Sequence, residues 1–505
     1  MKPARGNELL VTVSIMLATI MQVLDTTIAN VALPHMQGSL SASSTQVTWV
    51  LTSYIVASAI MTLPVGYLSQ RFGRRHLFIW SVSGFTLSSV LCGQASTLTE
   101  MIFWRISQGV FGAALAPLSQ ATLLDTFPRE KHAAAMSAWG MGIMLGPILG
   151  PTLGGLLTEY YSWRWVFYIN VPVGILSLIG IYLYVPDNTR HQKRFDGRGF
   201  VLLALAVGAL QMLLDRGEEV DWFESLEIQF YAIGALLALY LFTVHNLTSH
   251  HRFFSPELLR DRNYLSGTLF IFIIGIVILA TMALLPTYLQ HWKGYPVVTS
   301  GMILAPRGVG TMFSMWVAGR LMNRMDPRIL VAVGIGLVSL SLHEMAGFNL
   351  QVSEDDIIYT GVVQGLGLGL VFVPVSFLAY TTLSPSLRDE GAALFSLSRN
   401  LGSSVGVSIV MATLSRNMWI NQQQLAGRMQ ISPDLLATLP AGPELLGLPA
   451  AILDELARGA AEIAYANNFY LLMWVSLATL PLIPLLAKPP QQAPAKPRGP
   501  ATATR

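Results

Sequence analysis

The sequence predicts an all-α integral membrane protein with fourteen transmembrane helices, arranged as two six-helix halves with two helices inserted between them. Three observations predict this. Of 505 residues, 53% are hydrophobic and 12% charged, whereas a soluble domain carries roughly 25% charged residues. Apolar runs near the length of a bilayer crossing, about 20 residues, recur from end to end. Two basic loops, far apart in the chain, repeat one another.

The runs lie at 9–33, 46–69, 77–96, 99–122, 134–158, 165–185, 198–215, 228–246, 264–289, 299–319, 329–349, 357–382, 391–413 and 466–487. The opening "MKPARGNELL" is short and basic, as a signal peptide's start would be. The run behind it is too long for one and holds Gln22, Asp25 and Asn30, and no small-residue pattern closes it. It reads as a retained first span. An even number of spans puts both termini on one side. Of the 31 Lys and Arg, about 22 then fall on the inner segments and about 6 on the outer loops, so the termini are expected in the cytoplasm. The single cysteine, Cys92, excludes an internal disulfide and reads as a small buried residue.

The repeat sets the domain organisation. "GYLSQRFGRR" (66–75) matches "GRLMNRMDPR" (319–328): at one constant offset Gly66 meets Gly319, Arg71 meets Arg324 and Arg75 meets Arg328. Gln108-Gly109 recurs as Gln364-Gly365 at nearly the same offset. The expected units are an N-terminal half (1–186), two inserted helices with flanking loops (187–263), a C-terminal half (264–487) with a long outer loop (414–465), and a proline-rich polar tail (488–505) expected to be disordered. Transporters built from repeated halves bind substrate near the midplane and rock to alternate access.

Asp25 lies in the first span, within "LDTTIANVALP". A carboxylate at that depth is a functional candidate by default. Counted along the helix it sits roughly 13 Å from the outer end, and Arg105 in the fourth span roughly 9 Å. An ion pair across the bundle is therefore feasible. Such a pair is either static architecture or a proton-coupling site that changes its access to water. The second half has Gly361 where Arg105 would repeat and no acid where Asp25 would, which favours proton coupling. In "RISQGVFGAALAP" (105–117), Arg105, Gln108, Gly109 and Gly112 stand close along one helix, with Gly109 and Gly112 on the Arg105 face. Small residues there let a neighbour approach.

In "GIMLGPILGPTLGG" (142–155), Gly142, Gly146, Gly150 and Gly154 form one ridge, and Pro147, Pro151 and Gly155 a second beside it. The glycines permit close packing, and the prolines remove backbone hydrogen bonds and favour a bend. A helix of this kind suits the seam between the halves as a gate. The loop residues Gly66, Arg71, Gly73, Arg74 and Arg75 are either a cytoplasmic latch or simple orientation signals. Gln22, Asn30, Arg307 and Arg399 are polar groups inside spans, where they meet substrate, an anionic one in the case of the arginines, or helix ends. The 414–465 loop is either a spacer or a docking surface. No phosphate loop, metal-ligand cluster or nucleophile–base set stands in the sequence, so no cofactor, metal or nucleic acid is expected.

These motifs, with "WRWVFYINVPVG" (163–174), resemble the major facilitator superfamily. More narrowly, they resemble its fourteen-span drug:proton antiporters and the EmrB-like multidrug export permeases of bacterial inner membranes. The resemblance covers nearly the whole chain. It implies the major facilitator fold, proton coupling at Asp25 and Arg105, and an antiporter signature in the glycine–proline span. It also implies hydrophobic substrates and, as partners, a periplasmic adaptor (a membrane fusion protein) and an outer-membrane channel. One position departs from the family pattern: Gln70 stands where an aspartate is usual before the arginine, so a charge latch there is weaker or built differently. The rival expectations are a proton-coupled symporter for one metabolite, against which the glycine–proline span argues, and a membrane sensor or scaffold that moves nothing.

Overall fold

The computed structural model describes residues 7–186, 195–249, 252–322, 324–428 and 450–486. These residues are helical throughout, with no strand among them, and the all-α expectation is borne out. Every expected span falls on a helix. In chain order the long helices are α1 (Asn7–Ser39), α2 (Trp49–Thr62), α3 (Val65–Phe72), α4 (Arg74–Gln94), α5 (Leu98–Gly112), α6 (Leu115–Thr126), α7 (His132–Tyr160) and α8 (Asn170–Tyr184). They continue with α9 (Gly197–Arg216), α10 (Leu226–Thr248), α11 (Arg262–Thr287), α12 (Val297–Leu321), α13 (Pro327–Met345), α14 (Glu354–Thr381), α15 (Arg388–Arg428) and α16 (Ala450–Leu477). By length and apolarity eleven segments can cross a membrane, or twelve if the bent pair α2–α3 is one span. The other two expected spans lie on α12 and α15. Both are long enough, but they carry arginines and many small polar residues, which lower their apolarity.

Three breaks have clear causes. The second span is not one straight helix: α2 and α3 meet at 57° around Pro64, which has no N–H to continue the ladder. Gly73 then turns the chain with φ +90, a conformation that suits glycine. The fourth span breaks between α5 and α6 at Ala113 and Ala114. By contrast α7 runs unbroken through Pro147 and Pro151.

The two six-helix groups pack alike. Within the first, α1 packs on α7 and α8, α2 on α5, and α4 on α5. Within the second, α11 packs on α15 and α16, α12 on α14, and α13 on α14. The glycines repeat too. A Cβ on Gly146 would stand 2.4 Å from the Val23 side chain, and one on Gly150 2.2 Å from Thr27. At the matching places a Cβ on Gly402 would stand 2.0 Å from the Phe272 carbonyl oxygen, and one on Gly406 2.5 Å from that of Ile276. Helix α9 packs on α10, α2 and α15. Helix α10 is the least covered, with Leu226, Phe230 and Leu236 at least 70% exposed. In a protein this apolar, such a surface faces lipid.

The long outer loop needs correction. Helix α15 continues to Arg428 and α16 begins at Ala450, so most of 414–465 is helix. Thr413 donates to Asn468 Oδ1 at 2.6 Å inside the expected spans, and Asn421 donates to the Ala460 carbonyl at 3.4 Å, so the two helices go on pairing beyond the span ends. Residues 429–449, which hold the proline-bounded stretches, and the tail 488–505 lie outside the described residues.

The repeated seam is testable in purified protein. Gly402→Ala drives a methyl into the α11 backbone and is expected to cost about 1–3 kcal/mol as overpacking, seen as a lower Tm in detergent. Gly336→Ala, in α13 with nothing within 4 Å, is expected to leave Tm unchanged or raise it, since alanine favours helix by up to ~1 kcal/mol.

Candidate functional site

Asp25 and Arg105 meet. The structure buries both side chains completely and sets Arg105 Nη1 2.6 Å from Asp25 Oδ2. The same Nη1 donates to Gln108 Oε1 at 2.7 Å, and Nε donates to the Val50 carbonyl at 2.9 Å. Gln108, one turn along α5, turns its Nε2 back to Asp25 Oδ1 at 2.8 Å. Asn170, at the start of α8, donates to that oxygen at 2.8 Å and is held by Ser89 of α4 at 2.9 Å. Aromatic faces complete the walls, with the Arg105 guanidinium 4.5 Å from the Tyr54 ring centroid and 5.6 Å from that of Phe167. Five helices thus converge on one carboxylate. An ion pair out of water survives only when its remaining lone pairs and protons are satisfied, and here nearly all are. Arg105 Nη2 is the exception, buried without a partner.

Asn170, Ser89 and Tyr54 were not among the residues singled out in the sequence. Asn170 had a signal, an amide in the apolar run "YINVPVG". Cys92 is buried, as expected, and its sulfur lies 3.7 Å from Gln108 Oε1. Gly109 lets α5 close on the Tyr54 carbonyl, where a Cβ would stand 2.5 Å away, and Gly112 does the same against Phe85 at 3.1 Å.

The second group keeps the frame of this site and changes its charges. Gln364 donates to Thr281 at 3.4 Å, as Gln108 donates to Asp25. Gly365 packs on the Arg307 carbonyl, as Gly109 packs on that of Tyr54. So Arg307 stands where Tyr54 stands, Gly361 where Arg105 stands, and Thr281 where Asp25 stands. Arg307 is buried, 8% exposed, and has no acid partner among the described residues. Arg399, on α15, lies 6.0 Å from the Trp139 ring centroid, and Trp139 of α7 stacks on Phe372 of α14. It too has no acid partner among the described residues. Of the other polar residues in spans, Gln22 has a buried Oε1 without a partner. Asn30 is exposed and bonds only its own helix, at the Thr26 carbonyl.

The two ridges of α7 face different helices. Gly142, Gly146, Gly150 and Gly154 lie on α1, against Met16, Val23, Thr27 and Ile28. The proline side, with Pro151 and Gly155, faces α12 of the second group at Gly301 and Val298, and Ile148 fits over Gly308. Pro147 sits on the same helix between these contacts. The α7–α12 contact continues to the Ser137 hydroxyl, which donates to the Met315 carbonyl at 2.6 Å.

At the end of the bundle where α1 begins, charges tie the groups together. Arg74 reaches Asp389 of α15 at 2.6 Å and Asp125 of α6 at 2.7 Å. Arg388 pairs with Asp125 and donates to the Leu124 carbonyl at 2.9 Å. Ser69 donates to Asp389 at 2.9 Å, and Gln70 to the Ser386 carbonyl at 3.3 Å. Gly66 admits the backbone of Glu390, to which a Cβ would come within 2.7 Å. Of the three loop arginines only Arg74 is seen to cross between the groups. Arg71 donates to Tyr67, and Arg75 to the Tyr182 carbonyl. The acids of the cluster, Asp125 and Asp389, had no mark in the sequence, because they are ordinary residues at helix ends.

Comparison with known proteins agrees with this architecture. The sequence profile of the Major Facilitator Superfamily matches residues 15–407. The multidrug export protein EmrB of Escherichia coli (strain K12) is 35% identical over 432 residues, covering 84% of this chain and 83% of its own. The fatty acid resistance protein FarB of Neisseria gonorrhoeae is 33% identical over 495 residues, 97% and 98% of the two chains. Among solved structures, the proton:xylose symporter XylE aligns with a TM-score of 0.61 at 14% identity, over 95% of this chain and 97% of its own. The human organic anion transporter MFSD10 aligns at 0.59 and 13%, over 93% and 99%. At such identities these two speak for the fold alone. The chain belongs to the Major Facilitator Superfamily, among its EmrB-like multidrug permeases.

Proposed function

We propose that this protein exports hydrophobic toxic compounds, anionic ones among them, in exchange for protons by alternating access. It works in the bacterial inner membrane, with both termini in the cytoplasm, and hands its cargo to a periplasmic adaptor and an outer-membrane channel. The relatives named for multidrug export support the efflux direction. The observation that carries proton coupling is the fully buried Asp25, whose neutralisation would free Arg105 and loosen a junction of five helices.

The charges suggest a cycle. With Asp25 ionised, Arg105 and the amides of Gln108 and Asn170 hold α1, α5 and α8 together. A proton delivered to Asp25 removes the charge that Arg105 pairs with. The released guanidinium then needs new partners, and that requirement favours a different packing of the bundle. The Arg74–Asp389–Asp125–Arg388 cluster supports reading this conformation as closed to the cytoplasm, with α3, α6 and α15 locked together. Arg307 and Arg399, with no acid partner among the described residues, supply positive charge in the second group, with Arg399 beside Trp139 of the first. Buried cations of this kind are functional candidates and suit a lipophilic anion. A fatty acid, for which one relative is named, has that chemistry.

Two measurements test this reading. In everted membrane vesicles acidified by respiration, a panel of lipophilic weak acids and cations is added while a dye reports lumenal pH. Some compounds are expected to discharge the gradient in wild type and to lose that effect in Asp25→Asn. Equal responses in both proteins, with substrate uptake also equal, would sink proton coupling at Asp25. The second concerns the latch. Asp389→Asn removes one carboxylate from Arg74. Gln120 is buried on α6 and accepts from Tyr380 of α14, across the two groups. In a Cys92→Ser, Gln120→Cys background Asp389→Asn is expected to speed labelling of position 120 by a cytoplasmic maleimide at least about tenfold, the equivalent of ~1.4 kcal/mol. An unchanged rate would mean that the cluster does not hold this side shut.

A further inference from the structure

A groove of about 690 Å³ opens on the flank of the bundle between α7 and α12. Ala134 and Met141 of α7 form one wall, Trp316 and Val317 of α12 the other, and Arg320 and Arg324 close its lower end. The seam between the two six-helix groups therefore runs along its floor. On the same flank of α12, Val309 and Phe313 are 61% and 58% exposed and Trp316 46%. Their spacing of four and three residues makes one continuous apolar face. The groove is thus continuous with surface that a bilayer covers.

The repeat explains why the groove carries net positive charge. Its counterpart on the opposite flank lies between α3 and α15. There Gly66 takes the place of Gly319 and admits the Glu390 backbone, and Arg74 pairs with Asp389 at the start of α15. At the matching positions α7 has Ala133 and Ala134. One flank holds its own anions. The other has two exposed arginines that form no ion pair among the described residues, and an alanine-lined trough where the acids would be. The Arg320 guanidinium lies 3.5 Å from the Trp316 ring centroid, which holds the charge over the groove instead of out in water.

An apolar trough ending in two cations fits an amphiphile with an anionic head. We propose that it is a specific site for an anionic phospholipid of the inner leaflet, with acyl chain between α7 and α12 and phosphate on Arg320 and Arg324. Basic pockets between transmembrane helices take such headgroups. Because the walls belong to different groups, the lipid ties them together and stabilises the conformation described here.

The test uses the purified full-length protein in detergent. Thermal unfolding is followed with added phosphatidylglycerol, phosphatidylcholine, oleate or inorganic phosphate, and native mass spectrometry counts retained lipid. Two variants are compared with wild type. Arg320→Gln/Arg324→Gln removes the charges, and Ala134→Phe fills the trough with both arginines in place. Phosphatidylglycerol is expected to raise the wild-type Tm by about 2 °C or more at saturation, with one lipid retained per chain, and to do neither in the two variants. Phosphatidylcholine and phosphate are expected to have no comparable effect. Equal shifts by the two phospholipids, or a shift that survives in both variants, would overturn the site. A shift by oleate as large as that by phosphatidylglycerol would overturn the assignment to phospholipid and give the groove to a free anionic amphiphile. If the double variant does not fold, Ala134→Phe alone decides.

Discussion

Holding a carboxylate and a guanidinium wholly out of water is costly. Their mutual attraction offsets the lost hydration only when further hydrogen bonds are in place. Asp25 and Arg105 obtain these from α2, α4, α5 and α8, through Val50, Ser89, Gln108 and Asn170. The site therefore fixes where five helices stand. Removing one partner would leave the other buried and unpaired, a loss of about 3–5 kcal/mol. That is a stiff constraint for structure and a strong lever for a protein that must change shape, because one proton alters every contact made to the carboxylate.

The internal repeat shows which parts are frame and which are chemistry. Both groups keep the glycine seam: Gly146 and Gly150 in the first, Gly402 and Gly406 in the second. Both keep the glutamine bond, from Gln108 to Asp25 and from Gln364 to Thr281. They differ in charge. The first group encloses a neutral pair, whereas the second places Arg307 against Gly361 with no acid partner among the described residues. In the proposed function, a shared frame that carries unlike charges divides the labour, the first group taking a proton and the second an anion.

Much of this was legible in the chain, for identifiable reasons. Asp25 and Arg105 stand out because a formal charge in an apolar run is rare. The seam stands out because glycines at every fourth position leave a visible period. Asn170 was harder, since a neutral amide in an apolar run is a weak signal that only its partners explain. The loop motif points to Arg74 but not to its acids, which lie 51 and 315 residues from it with nothing local to mark them. Gln70, where the resemblance implies an aspartate, donates to the Ser386 carbonyl, and the anion that Arg74 meets across the groups is Asp389. The ends of α15 and α16 were missed because hydropathy stops where the bilayer does. Residues such as "NQQQLAGR" go on favouring helix in water, so the helix outlasts the span.

Site and latch are joined by one stretch of chain. Arg105 lies on α5 and Asp125 on α6, within a single 29-residue crossing segment, Leu98–Thr126. Twenty residues of helix separate them, roughly 30 Å at 1.5 Å per residue. The break at Ala113 and Ala114 lies near the middle, beside Gly112 and ahead of Pro117. A rigid rod would carry any tilt at Arg105 to Asp125 undiminished, whereas a jointed one carries part of it. Asp125 is held by Arg74 of its own group and by Arg388 of the other, so a tilt of α6 strains a contact within the group and one across the groups together. In the proposed cycle, release of Arg105 therefore acts on the cytoplasmic closure through the backbone of α5 and α6, with no need for the substrate to touch either end.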